Sequence, residues 1–173
     1  KTIHMKLLLL GSNGQVGWEL QRSMATLGKL KACDRSTLDF IDLDGLRKLI
    51  RDYKPDVIVN AAAYTDVDKA ESDEENAFQV NSKAVDLLAQ EAKVLDAWLV
   101  HYSTDYVFDG EKMSPYIEED KTNPLSVYGK TKLQGEEAIK KSKCKYLIFR
   151  TSWLFGTHGK NFFKTIIKLA KER

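Results

Sequence analysis

The run Lys6–Gly17, KLLLLGSNGQVG, constrains the fold more than any other stretch of the chain. Leu7–Leu10 alternate with nothing polar, and a strand that is apolar on both faces is one covered by helices on both sides, as in a parallel sheet. Gly11, Gly14 and Gly17 follow at three-residue spacing and lead into Trp18–Leu27, which has helical character. A strand, a glycine turn and a helix in that order build the phosphate turn of a Rossmann fold. The glycines permit the tight turn and close backbone approach, and the helix N-terminus offers free N–H groups to a pyrophosphate. The glycines alone would also suit an ordinary strand-to-helix turn; the leucine strand before them favours a dinucleotide site.

Strand and helix signals alternate through the rest of the chain. Helices are predicted over 15–27, 43–53, 74–94, 126–141 and 161–172, and strands over 30–34, 56–61, 97–103 and 146–151. In the second helix Leu46, Leu49 and Ile50 share a face and Pro55 ends the run; in the third, Ala77, Val80, Ala84, Leu87 and Leu88 do so. This alternation, with no internal repeat, predicts an α/β domain over 1–173: a Rossmann-like doubly wound parallel sheet with helices on both faces. Such sheets bind ligands outside the carboxyl ends of their strands.

The 173 residues suffice for one domain with a core. A net charge of +2 is too small to argue for nucleic acid or a membrane surface. No apolar stretch approaches the roughly 20 residues of a membrane span, and the N-terminus lacks the shape of a signal peptide. Cys33 and Cys144 lie far apart in predicted strands, with no CxxC or Cys/His cluster. They read as buried free thiols of a cytoplasmic protein.

The strand ends therefore select the candidate site. Asp34 and Arg35 follow the second strand, about twenty residues after the glycine turn. Asp34 would take a ribose hydroxyl and favour NAD, whereas Arg35 would hold a ribose phosphate and admit NADP; the preference stays open. After the third strand come Asn60, Ala61, Ala62, Ala63, Tyr64 and Thr65, where small side chains would let a flat cofactor run close to the backbone or simply pack tightly. The carboxylates Asp66, Asp68, Glu71, Asp73, Glu74 and Glu75 crowd a helix start, where they complement the dipole rather than collect a metal. Ser103, Thr104, Asp105 and Tyr106 end the fourth strand and bring hydroxyls to the crevice. His101, inside that strand, reads as a core histidine with its hydrogen bonds satisfied rather than a base.

Tyr128 and Lys132 are four residues apart on a predicted helix and so share a face. A phenol with its ordinary pKa near 10 exchanges protons poorly at neutral pH. An ammonium about 4 Å away would favour phenolate by up to about 4 kcal/mol at an effective dielectric near 20. That is at most about three pKa units, enough to bring the tyrosine to working pH.

With these residues assembled, the chain resembles the extended short-chain dehydrogenase/reductases and, more narrowly, the dTDP-4-dehydrorhamnose reductase family. The resemblance rests on GQVGWEL (14–20), PDVIVNAAAYTDVDKAE (55–71), HYSTDYVFDG (101–110), YGKTKLQGE (128–136) and RTSWLFG (150–156). It implies reduction of the 4-keto group of dTDP-4-dehydro-L-rhamnose by NADPH or NADH. Tyr128 would protonate the oxygen, Lys132 would lower the Tyr128 pKa and hold the nicotinamide ribose, and Thr104 would orient the keto group. Gly14, Gln15 and Val16 would touch the pyrophosphate, with Gly11, Asn13 and Gly17 completing the turn. Asp34, Asp39 and Phe40 would surround the adenosine, beside Arg35. Ala62, Ala63, Tyr64, Thr65 and Tyr102 would lie along the cofactor. Asp105 and Trp153 would contact the dTDP-sugar substrate, although Trp153 equally suits a core aromatic after the last strand.

The same resemblance implies a smaller C-terminal lobe that completes the nucleotide-sugar site, whereas this sequence stops at Arg173 within a helical pattern. Glu19 matches a carboxylate that in some members helps bind Mg2+ at a dimer interface, so a homodimer and a magnesium ion enter as candidates, with no other metal site in view. Sister nucleotide-sugar epimerases and dehydratases share the fold and the Tyr/Lys pair. Dehydratases follow the threonine with Asp-Glu, whereas Thr104 is followed by Asp105 and Tyr106. The regulatory subunit of methionine adenosyltransferase is similar to the same family and gives a third reading, a dinucleotide-binding module without turnover.

Overall fold

In a computed structural model describing residues 5–172, five parallel strands form one sheet in the order β2-β1-β3-β4-β5. The strands are β1 (Lys6–Leu10), β2 (Lys29–Cys33), β3 (Val57–Asn60), β4 (Trp98–Thr104) and β5 (Lys145–Thr151). The principal helices are α1 (Gln15–Met24), α2 (Leu43–Tyr53), α5 (Ala84–Val94), α6 (Val127–Ser142) and α7 (Phe162–Lys171), with short α3 (Val67–Ala70) and α4 (Glu74–Phe78) between β3 and α5. Lys1–His4 and Arg173 lie outside the described residues.

Strand β1 explains this arrangement. Alternate side chains of a strand point to opposite faces, so its leucines divide. Leu8 and Leu10 join Ile58, Leu99 and the buried sides of α2 and α5; Leu7 and Leu9 pack with Met24 of α1 and Val59. All four leucines are at most 2% exposed. Each contributes roughly 1.5–3 kcal/mol of burial, which a one-sided sheet could not collect from both pairs.

The order reverses between β1 and β3, and the crevice of a doubly wound sheet opens at such a reversal. Two glycines let the chain cross it. Gly11 has φ +79°, and a Cβ there would lie 2.6 Å from the Ala62 nitrogen. A Cβ on Gly17 would stand 2.1 Å from the Gly11 carbonyl oxygen. The first turn of α1 is thus packed directly on the end of β1.

Three expectations are corrected. The predicted helix over 74–94 is α4 and α5 joined through a π-helical segment, Gln79–Lys83. Cys144 is buried but lies in the turn after α6, which closes on Lys143 in the left-handed conformation, and not in a strand. The helix predicted to reach Leu27 ends at Met24, and the next three residues turn towards β2.

Helix α6 is tied to the sheet by a buried carboxylate. Glu136 is fully buried and accepts from Ser103 Oγ at 2.6 Å and from Arg150 Nε and Nη2 at 2.9 and 2.7 Å. Burial opposes its ionisation, but hydrogen bonds from Arg150 and Ser103 outweigh it and hold the carboxyl below its ordinary value. Replacing Glu136 by Ala strands Arg150 and Ser103, and urea unfolding is expected to register a loss of about 3 kcal/mol. Because the folded pKa is depressed, the ionised Glu136 stabilises above the unfolded value, near 4.5, and that contribution fades as pH falls through the folded value. Glu136→Ala should therefore flatten the acid limb of the stability curve.

Candidate active site

A cleft of about 1140 Å³ runs along the carboxyl ends of β1 to β5. That exceeds a drug-sized pocket, which spans about 300–1,000 Å³, and suits an extended ligand. Gly11, Asn13, Gly14, Gln15 and Val16 line one end, and Asp34, Arg35, Asp39 and Phe40 line the pocket beyond β2. Ala62, Ala63, Tyr64 and Thr65 form the middle, and Thr104, Asp105, Tyr128 and Trp153 stand at the other end.

Three expected residues do not line the cleft. Gly17 is buried behind the turn, serving the close approach just described. Tyr102 stacks obliquely on Phe149, and its carbonyl is engaged from α6. Lys132 is 1% exposed and sits beneath the cleft.

At the phosphate turn, Gly14 is the N-cap of α1 and supplies no side-chain cap, so the first N–H groups of the helix lie free at the cleft end. The turn is braced from outside: His158 Nε2 donates to the Asn13 carbonyl at 2.9 Å, and Asn161 Nδ2 donates to Gln15 Oε1 at 3.1 Å. Beyond β2, Asp34 accepts from the Ser36 N–H and hydroxyl at 2.9 and 2.6 Å, and these bonds hold its carboxyl below the usual range. Asp34 is an ionised acceptor fixed in place, and Arg35 beside it is exposed.

The loop after β3 is held by a residue that the sequence reading passed over. Asn81, 1% exposed in the π-helical segment, accepts from the Tyr64 N–H at 2.9 Å and donates to the Tyr64 carbonyl at 3.1 Å. It also donates to Thr131 Oγ1 of α6 at 3.2 Å. A π-helical turn rotates one residue out of register, and here it turns Asn81 to the loop. The available signal was a polar residue four positions after Ala77, on what should be an apolar face. Tyr64 in turn donates to Asp73 at 2.9 Å. The acidic cluster serves local structure: Asp66 caps α3, and Glu71 accepts the Val127 N–H at 2.8 Å.

At the far end Ser126 caps α6 through the Gly129 N–H at 3.1 Å, setting the helix so that Tyr128 reaches the Thr104 side. The Thr104 hydroxyl donates to Asp105 at 3.1 Å and accepts the Tyr106 N–H at 3.2 Å. Burial pushes the Tyr128 phenol above its ordinary pKa; the neighbouring Thr104 hydroxyl opposes that rise, while Asp105 and Tyr106 add to it.

Among the described residues Lys132 makes no hydrogen bond to that phenol, a direct contact that helical spacing alone does not guarantee. Its Nζ is turned into the sheet, donating to the Tyr102 carbonyl at 2.6 Å. Complete burial drives the Lys132 pKa down to about 8, with Glu136 opposing the fall. The i, i+4 spacing fixes a shared face but not the depth to which each side chain reaches.

Trp153 is no core residue. It is 74% exposed at the mouth of the cleft, with its ring edge-on to Phe162 at 5.1 Å. Its φ of +51° is a conformation that a bulky side chain rarely adopts. The Glu19 carboxylate pairs with Arg22 at 2.8 Å, and among the described residues no group of three His, Cys, Asp or Glu side chains is placed to hold a metal ion. No helix among the described residues is long and apolar enough to cross a membrane.

Known proteins share this arrangement. The model of the RmlD substrate binding domain family matches residues 5–173. The dTDP-4-dehydrorhamnose reductase of Escherichia coli K12 is 51% identical over 98% of the chain, and that of Burkholderia thailandensis 53% identical over 98%. The crystal structure of dTDP-4-dehydrorhamnose reductase from Bacillus anthracis in complex with NADP superposes on 99% of the chain with a TM-score of 0.94 and 35% identity, over 61% of its own length. The chain spans 58% and 57% of the two sequence relatives. A family match that runs from the first strand through the last helix makes this chain a member of the RmlD substrate binding domain family.

Proposed function

We propose that the chain carries the cofactor-binding and proton-transfer half of an NAD(P)H-dependent reductase acting on the 4-keto group of dTDP-4-dehydro-L-rhamnose, giving dTDP-L-rhamnose. The observation that carries this reading is the meeting of Thr104 and Tyr128 at one end of a cleft whose other end is a glycine turn opening α1. The relatives named above supply the sugar.

Gly11, Asn13, Gly14, Gln15 and Val16 would hold a pyrophosphate against the α1 N-terminus. Asp34, Arg35, Asp39 and Phe40 would surround the adenosine, and Ala62, Ala63, Tyr64 and Thr65 would flank the nicotinamide half. Either NADPH or NADH suits the pair Asp34 and Arg35, and the Bacillus anthracis relative was solved with NADP. Bound there, the reduced nicotinamide supplies a hydride to the keto carbon.

The chain's own part is the proton. Tyr128, protonated at pH 7 as a phenol ordinarily is, donates its phenolic proton to the carbonyl oxygen, so that one C–H and one O–H bond form as the C=O double bond is reduced. Thr104 orients that oxygen. Lys132, cationic below about pH 8, stabilises the phenolate left on Tyr128 through the field of its buried charge. Asp105 and the exposed Trp153 would meet the sugar. Buried free thiols at Cys33 and Cys144 support a reducing, cytoplasmic setting. A homodimer, and Mg2+ at Glu19, enter this reading only through the family resemblance.

The full-length protein is expected to oxidise NADPH or NADH when given dTDP-4-dehydrorhamnose. Tyr128→Phe should lower kcat by about 10²–10⁴-fold with cofactor affinity within a few-fold of the parent; unchanged turnover would remove Tyr128 as the proton donor. The rate should be level through neutrality and fall above about pH 8 as Lys132 loses its proton. A profile flat to about pH 10 would contradict a role for the Lys132 charge.

A further inference from the structure

Two polar side chains sit in the middle of the sheet with no part in the chemistry above. Asn60 and His101 are both 0% exposed and stand opposite each other in the register of β3 and β4. Buried polar groups of this kind cost several kcal/mol unless bonded, and the Asn60 amide is engaged at both its oxygen and its nitrogen.

The bonds run in one direction. The Ala62 N–H donates to Asn60 Oδ1 at 3.1 Å, which fixes the amide and leaves Nδ2 as the donor towards His101 Nδ1, also at 3.1 Å. An imidazole nitrogen that accepts carries no proton, so the neutral ring holds its proton on Nε2. Burial first, and then the charge of Lys132, hold the His101 pKa well below its ordinary value, so the ring is neutral. Its Nε2–H faces Lys132 Nζ at 3.5 Å.

That contact distinguishes the two states of the lysine. An ammonium has only protons to offer, so Nε2–H meets it as donor against donor, and the bond to the Tyr102 carbonyl carries the load. An uncharged amine has a lone pair that accepts Nε2–H. From every element packed on Lys132, the ionisable groups are His101 of β4, with Glu136 one turn later and Tyr128 one turn earlier on α6; Asn60 of β3 stands behind the imidazole. Of these Glu136 favours the cation.

We propose that Asn60 and His101 are positioning residues for Lys132: they lock the imidazole into the Nε2–H tautomer and so couple the Lys132 proton state to the Ala62 peptide in the wall of the cleft. Ala62 is also the residue against which Gly11 packs, so the relay links the phosphate turn to the buried lysine across three strands. A ligand that displaces the Ala62 N–H acts on Asn60 and, through the Asn60–His101 and His101–Lys132 contacts, reaches Lys132 without touching it. The importance of this coupling for turnover rests on the reductase reading; its existence does not, and the test uses no substrate.

The chain has three histidines, His4, His101 and His158, so nitrogen NMR of the ligand-free protein resolves each tautomer directly. His101 should remain the neutral Nε2–H form from about pH 6 to about pH 9; an Nδ1–H ring, or titration near the ordinary value, overturns the proposal. In Asn60→Asp the carboxylate can only accept, so the His101 proton moves to Nδ1 and Nε2 becomes an acceptor for the ammonium. The Lys132 titration, followed at its Cε and identified by its loss in Lys132→Met, should then move up by about one pH unit. A switched tautomer with an unmoved Lys132 titration overturns the coupling, and the measurement on the parent protein decides the tautomer even if Asn60→Asp does not fold.

Discussion

Lys132 and Glu136, one turn apart on α6, are both drawn wholly out of water, and the geometry around Tyr128 depends on how each is compensated. Glu136 is compensated by charge: Arg150 grips both its oxygens, and Ser103 adds a third bond from the residue next to Thr104. Lys132 is compensated by dipoles, chiefly the Tyr102 carbonyl. The first arrangement is rigid and holds its carboxylate ionised; the second leaves a cation near the pH at which it discharges. One helix thus supplies an anchor and a titratable group, and Tyr128 stands one turn before the lysine and two before the glutamate.

The sheet makes that pairing possible. β1 is buried on both faces, which places the glycine turn and the loop after β3 side by side at the crevice. Their backbones approach so closely that Gly11 has no space for a side chain. The same loop is held from the opposite side by Asn81, which reaches both Tyr64 and Thr131. The wall of the cleft is therefore clamped between β1 and α6.

Much of this was legible in the sequence, for reasons that can be stated. Four leucines followed by spaced glycines have few alternatives to a buried parallel strand and a phosphate turn, and the turn and the strand-end residues do line one cleft. What periodicity cannot register is depth and local rotation. The spacing of Tyr128 and Lys132 placed them on one face, yet one lines the cleft and the other lies under it. The π-helical segment was invisible because an extra residue in a helix changes no residue type, only which side Asn81 occupies. The sequence left Trp153 equally suited to the core and to the substrate; with a positive φ it stands exposed at the cleft mouth.

The proposed reaction delivers a hydride to the sugar's 4-keto carbon at the cleft while Tyr128 supplies the proton. Its most direct test is to supply NADPH deuterated at the nicotinamide C4 to the full-length protein with dTDP-4-dehydrorhamnose and to locate the label in the product. Deuterium at C4 of the sugar, one per molecule of cofactor oxidised, is the expected result. A sugar altered without label at C4, or a cofactor bound and never oxidised, would contradict it.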